Sequence, residues 1–136
     1  MATQYSTIQP QTVEISRLPG ICFKLSSLNA VIGVSLGVYM GVGGDHTLGP
    51  VHVHLNLIGW VSLFLFGLFY KFHPDAIGGA AVAQVTMATV GYFVMLSGLA
   101  GLLLTASAAF MPLAIVGSLL VWAGFLMFFI IVARAT

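Results

Sequence analysis

The sequence predicts an all-α, polytopic membrane protein of four transmembrane helices. Three observations carry this. First, 60% of the 136 residues are hydrophobic. Second, only 5% are charged, against the roughly 25% that a water-soluble domain carries on its surface. Third, the apolar residues fall in four stretches, each at or near the 20 or so residues that a helix needs to cross a bilayer. A strand of a membrane barrel would be half that length and would alternate in polarity. A helix, by contrast, satisfies its backbone within one segment. The four basic residues are scattered, and no basic patch of the kind that binds nucleic acid is present. The single cysteine, Cys22, excludes an intrachain disulfide framework.

Residues 1–20 are polar, contain Pro10 and Pro19, and lack the short apolar core of a signal peptide, so they are expected to form a short tail. The first span is expected over about Ile21–Gly43, with Lys24 snorkelling from its opening turns to the interface. The second is expected over about Pro50–Phe72, the third over Gly79–Leu104 and the fourth over Met111–Val132. Gly43-Gly44-Asp45, His73-Pro74-Asp75 and Gly78-Gly79 supply turn chemistry between spans, whereas Ala106–Ala109 is merely small. With four spans, Arg17, Lys24, Lys71 and Arg134 all fall on one side. By the positive-inside rule that side is cytoplasmic, which implies an N-in, C-in protein in a bacterial inner membrane.

Asn29, Gly33, Gly37 and Gly41 recur every four residues in the first span and make one smooth face. Close approach of another helix is the expected use of such a face, with a flat ligand as the alternative. Ala88, Gly91, Gly98 and Gly101 in the third span, and Gly117 and Gly124 in the fourth, are further packing marks. Gln84 and Thr86 open the third span and are expected at the membrane interface, with hydrogen bonds across helices as the alternative.

Four histidines stand out among so few polar residues. His46, His52 and His54 cluster near the outer end of the second span, and His73 lies at its other end as an interfacial residue. An ionisable side chain inside a membrane is costly and so a functional candidate. A metal or heme iron satisfies one imidazole nitrogen, and a second-shell carbonyl the other. Residues two apart on a helix point about 200° from each other, so His52 and His54 serve two faces or two sites. Asn56, Gly59, Leu63, Phe66 and Tyr70 continue the His52 side, and Ile58, Val61, Leu65, Leu68 and Phe72 continue the His54 side. Both walls are apolar enough for a porphyrin, with Gly59 allowing close approach. Three uses of the histidines stay open on the residues alone. They are hydrogen bonds between helices or to interfacial water, heme ligation, and a mononuclear copper or zinc site. The last requires His46 to fold back towards His52, or ligands from another subunit.

The run His52-Val53-His54-Leu55-Asn56-Leu57-Ile58-Gly59-Trp60-Val61, continuing to Phe66-Gly67 and Tyr70, resembles the tenth helix of the catalytic subunit of heme-copper oxidases. The C-type oxidases and the nitric oxide reductases are the nearest branches. The resemblance implies that His52 stands where the family ligates a high-spin heme, and His54 where it ligates the low-spin heme b. It is confined to this one helix. The adjacent histidine pair, the second histidine-bearing helix and the copper ligands of that subunit have no counterpart, so the resemblance implies no oxygen-reducing centre. The family subunit is built of four-helix arcs around an approximate threefold axis, and this chain is about one arc long. A homotrimer with hemes between protomers is therefore expected, each iron held by His52 of one copy and His54 of the next. The resulting expectation is a heme b protein of the bilayer for electron transfer or O2/NO binding, its ligands His54 and His52, lined by Gly59 and Asn56, with His46 at the heme edge or on a second metal such as copper. A copper- or heme-handling protein and a non-catalytic assembly subunit are the other classes.

Overall fold

The structure, a computed structural model, describes residues 17–136; the expected tail lies largely outside the described residues. Helix α1 covers Arg17–Gly43. The second span is continuous but composite: α2 over Gly49–His54, a π-helix over Leu55–Ser62 and α3 over Leu63–Phe72. Helix α4 covers Gly79–Thr105 and α5 Met111–Ala135, each preceded by a short 3-10 turn, Pro74–Ala76 and Ala108–Phe110. The described residues are thus all helical or loop. Four helices are long and apolar enough to cross a membrane. The expected spans are found with small changes at their ends. The first begins at Arg17, so the last four residues assigned to the tail are helical.

The breaks follow from local chemistry. Gly44 takes a left-handed φ of 69° after α1, a conformation that costs glycine little. The Asp45 carboxylate then accepts from the Thr47 backbone N–H at 2.9 Å and the Thr47 hydroxyl at 2.6 Å, closing the outer turn. Pro50 enters the first turn of α2, where its missing N–H is harmless. The junction after α4, only small in the sequence, is made by Ala106 in the left-handed region at φ 53° and by Ser107, whose side chain caps the next turn.

The helices form two antiparallel hairpins. Helix α1 packs on the second span, and α4 packs on α5, the closest pairing in the molecule. The hairpins meet chiefly where the second span touches α4. Two buried clusters fill the seam. Leu18, Cys22, Leu63, Phe66, Tyr70, Val85 and Ala88 form one, near the end that carries the basic residues. Val51, Leu55, Tyr92, Met95, Leu96 and Val121 form the other, near the histidine end. Outward faces are apolar as well: Val42, Tyr39, Phe129 and Trp122 are all well exposed, as befits helices in contact with lipid.

Gln84, near the start of α4, takes the cross-helix alternative: it is fully buried and accepts a 2.9 Å hydrogen bond from the Tyr70 hydroxyl across the seam. An amide in an apolar interior needs partners; the phenol supplies one to Oε1, while the buried Nε2 has none among the described residues. Thr86, two residues on, is exposed.

Candidate functional site

The small-residue face of α1 receives the histidine-bearing segment rung by rung. Gly37 lies against the His52 ring: a Cβ there would come within 2.8 Å of His52 Cε1. Gly33 lies against the Asn56 amide, which a Cβ would meet at 2.6 Å. Asn29 lies against Gly59 and donates from Nδ2 to the Gly59 carbonyl at 2.9 Å. The same amide contacts the Tyr92 hydroxyl at 2.6 Å and so ties α4 to the ladder. Gly41, one turn beyond, meets nothing.

His52 is half-buried in this ladder, and its Nδ1 lies 2.8 Å from the Gly33 carbonyl oxygen. A carbonyl only accepts, so Nδ1 carries the proton and donates. The Asn56 Nδ2 donates to the His52 carbonyl at 2.8 Å and secures the turn below. His54 turns to the other side. Its Nδ1 donates to the Pro50 carbonyl at 2.7 Å within its own helix. Both rings are therefore held in the same way, by a backbone carbonyl at Nδ1. Neither Nε2 has a hydrogen-bond partner among the described residues.

The two faces differ below the histidines. On the His52 side, Gly59, Leu63, Phe66 and Tyr70 are buried against the rest of the protein, and the space beside Gly59 is taken by Asn29 and Tyr92. On the His54 side, Leu65 is 51% and Phe72 70% exposed. The π-helix contributes to this sorting. Val51, Leu55, Gly59 and Leu63 are all buried at intervals of four, whereas an α-helix of 3.6 residues per turn drifts off a four-residue spacing. The wider winding keeps them aligned over α1 and α4. Ser62 Oγ donates to the Leu57 carbonyl five residues back at 2.7 Å, occupying an acceptor within the π segment. Such segments recur at functional sites.

His46 lies in the exposed outer turn, its Nδ1 3.2 Å from the Gly44 carbonyl. Beside it the Asp45 carboxyl is held below its ordinary pKa, first by the hydrogen bond from the Thr47 hydroxyl and then by that from the Thr47 N–H. The described residues contain no group of three or more His, Cys, Asp or Glu side chains placed to hold a metal ion. One chain therefore does not assemble His46, His52 and His54 into a single metal centre. His73, at the far end, stacks on Phe69 with ring centroids 4.5 Å apart and bonds the Phe69 carbonyl at 3.2 Å.

Tyr92 is the site residue that the sequence reading passed over. A lone tyrosine in an apolar helix has no motif; the available signal was Asn29, a buried amide in a span that had to find a partner. No protein-family model, curated protein or solved structure matches the chain.

Proposed function

We propose that the protein is a heme b-binding membrane protein whose iron ligands are His54 and His52, serving one-electron transfer or the binding of a diatomic gas. One observation carries this reading: His52 and His54 lie within a span and donate from Nδ1 to a backbone carbonyl at 2.8 and 2.7 Å, against 3.2 Å for His46 and His73 at the span ends, leaving Nε2 as the basic nitrogen. That is the arrangement in which a histidine ligates iron, because the carbonyl fixes the tautomer and raises the basicity of the other nitrogen. The donor set fits the group. His54, on the lipid-facing side with an apolar wall below it, is the leading ligand. His52 is the second, held in the α1 ladder. Asn56 and Gly59 serve by seating the second span on α1.

The opposite placement of the two imidazoles means that one iron cannot take both from one copy. An iron with two histidine ligands would need His54 of one protomer and His52 of another, and a homotrimer, whose size would match the three four-helix arcs of the family subunit, is the closed assembly proposed. Bound heme supplies a one-electron couple, or a gas-binding position where one axial site stays open. Arg17, Lys24, Lys71 and Arg134 gather at one end, supporting an N-in, C-in orientation in a bacterial inner membrane, with the histidine cluster towards the periplasm.

The test is visible absorption of protein purified from cells with ample porphyrin supply. A Soret band and a reduced α-band are expected. H54A abolishes or strongly shifts the spectrum, and H52A converts six-coordinate to five-coordinate iron. Colourless, well-folded protein overturns the reading. If it retains copper, it is a metal-handling protein; if it is metal-free, it is a non-catalytic membrane subunit.

A further inference from the structure

At the end of the molecule opposite the histidine cluster, a hollow of about 520 Å³ opens between the close of the second span, the Pro74–Ala76 turn, the start of α4 and the last turns of α5. Phe72, Ala80 and Ile131 line it with apolar surface; His73, Asp75 and Arg134 supply its polar part. Its volume is within the range of small-molecule sites.

Arg134 and Asp75 face the same hollow but make no ion pair with each other or with any other described residue. Lys71, the nearby cation on the second span, is engaged elsewhere, its Nζ 5.9 Å from the centre of the Phe23 ring. The His73 ring is fixed as a wall by its stack on Phe69 and its bond to the Phe69 carbonyl. The hollow thus offers one guanidinium and one carboxylate, with no excess of either sign. Phe72, 70% exposed, extends its apolar side onto the outward surface of the span.

We propose that this hollow binds the headgroup of a zwitterionic phospholipid with a primary ammonium, a phosphatidylethanolamine. Arg134 takes the phosphate, because a guanidinium matches its oxygens in a bidentate way. Asp75 takes the ammonium, whose N–H groups donate to a carboxylate. The acyl chains leave along Phe72 and Ile131. An anionic headgroup meets the Asp75 carboxylate without compensation. A choline headgroup has no N–H to donate to it. The site is independent of any iron and stands whether or not the histidines bind heme.

Native mass spectrometry of the delipidated full-length protein in detergent tests this, with equal amounts of phosphatidylethanolamine, phosphatidylglycerol and phosphatidylcholine. Preferential retention of the ethanolamine lipid is expected. R134Q lowers that retention at least tenfold. D75N, which leaves the hollow with one net positive charge, reverses the preference to phosphatidylglycerol. K71Q, outside the hollow, retains lipid as the parent does, and inorganic phosphate at millimolar concentration does not displace it. Circular dichroism confirms that each variant keeps its helices. Equal retention of the three lipids overturns the proposal, as does a K71Q loss matching that of R134Q. Displacement by phosphate alone also overturns it, since the ligand is then the free anion.

Discussion

In the α4–α5 hairpin, Gly117 and Gly98 meet backbone. A Cβ on Gly117 would collide with the backbone of Met95 and Gly91, and one on Gly98 with that of Ala114; one on Gly124 would press tightly on Ala88, and Gly101, at the hairpin's end, meets the Phe110 ring. In the histidine half of the hairpin of α1 and the second span, the α1 glycines meet polar side chains: Gly33 receives Asn56 and Gly37 receives His52, whereas Gly67, towards the other end, meets Cys22 and Phe23. The first arrangement yields close van der Waals packing. The second leaves slots in an apolar helix into which hydrogen-bonding groups fit without being stranded in lipid. The same residue type at similar spacing therefore builds a structural hairpin in one half of the molecule and a chemically equipped one in the other. A polar group within a bilayer is tolerated only where a neighbour supplies both room and a partner. The backbone carbonyl exposed at a glycine supplies both.

The largest expected effect breaks the structural half. G117A forces a Cβ into the Met95 backbone, and overpacking of this kind costs about 3 kcal/mol at the upper end of its range. Thermal unfolding in detergent, followed by circular dichroism, is expected to show a marked loss of stability, and G117L is expected not to fold. In the chemically equipped half, N29A removes the hydrogen bond to the Gly59 carbonyl and the contact with Tyr92. A loss of about 1–2 kcal/mol is expected, in line with the strongest interhelical hydrogen bonds in membranes. Combined with Y92F it should cost less than the sum of the two changes, because they share a bond.

G37A and G41A sharpen the comparison within a single helix face. At Gly37 the new methyl displaces the His52 ring from the Gly33 carbonyl, with an expected cost of about 1 kcal/mol. Nitrogen NMR is expected to show His52 losing its fixed tautomer. At Gly41 the methyl meets nothing, and alanine gains up to about 1 kcal/mol from helix propensity. If both substitutions destabilise equally, the slot reading of Gly37 fails. The smallest effect lies in the outer turn. T47A removes the hydroxyl that holds the Asp45 carboxyl ionised, so the NMR titration midpoint of Asp45 is expected to rise towards the ordinary aspartate value. Because the folded pKa is the lower one, the contribution of Asp45 is present above the ordinary aspartate range and is lost as pH falls through the folded value.

Much of this is legible in the sequence. The four spans could be read because lipid leaves a chain of this composition little alternative to continuous helices, and the ends agree to within a few residues. The opposition of His52 and His54 follows from helical rotation alone. Periodicity did not say which of the two faces inward, because both sides of the second span are apolar in sequence. That choice depends on where α1 and α4 lie. The π-helix was also invisible, since Leu55–Ser62 carries no residue that demands it; its winding answers the spacing of the neighbours it must meet. For Gln84 the residues leave a cross-helix bond and an interfacial position both open, because a place near a span end says nothing of Tyr70, which reaches it from another helix.

The sequence by itself determined that the chain is a bundle of four membrane-length helices, where they break, and that imidazoles cluster at one end. These are consequences of hydropathy and of backbone hydrogen bonding, both local properties. Only the tertiary structure decided which glycines meet backbone and which meet side chains, that His52 is seated in the α1 ladder while His54, equally half-buried, bonds within its own helix, and that Tyr92 and Gln84 join helices. Those are properties of pairs of surfaces, and a pair has no geometry until the chain has folded one helix against another.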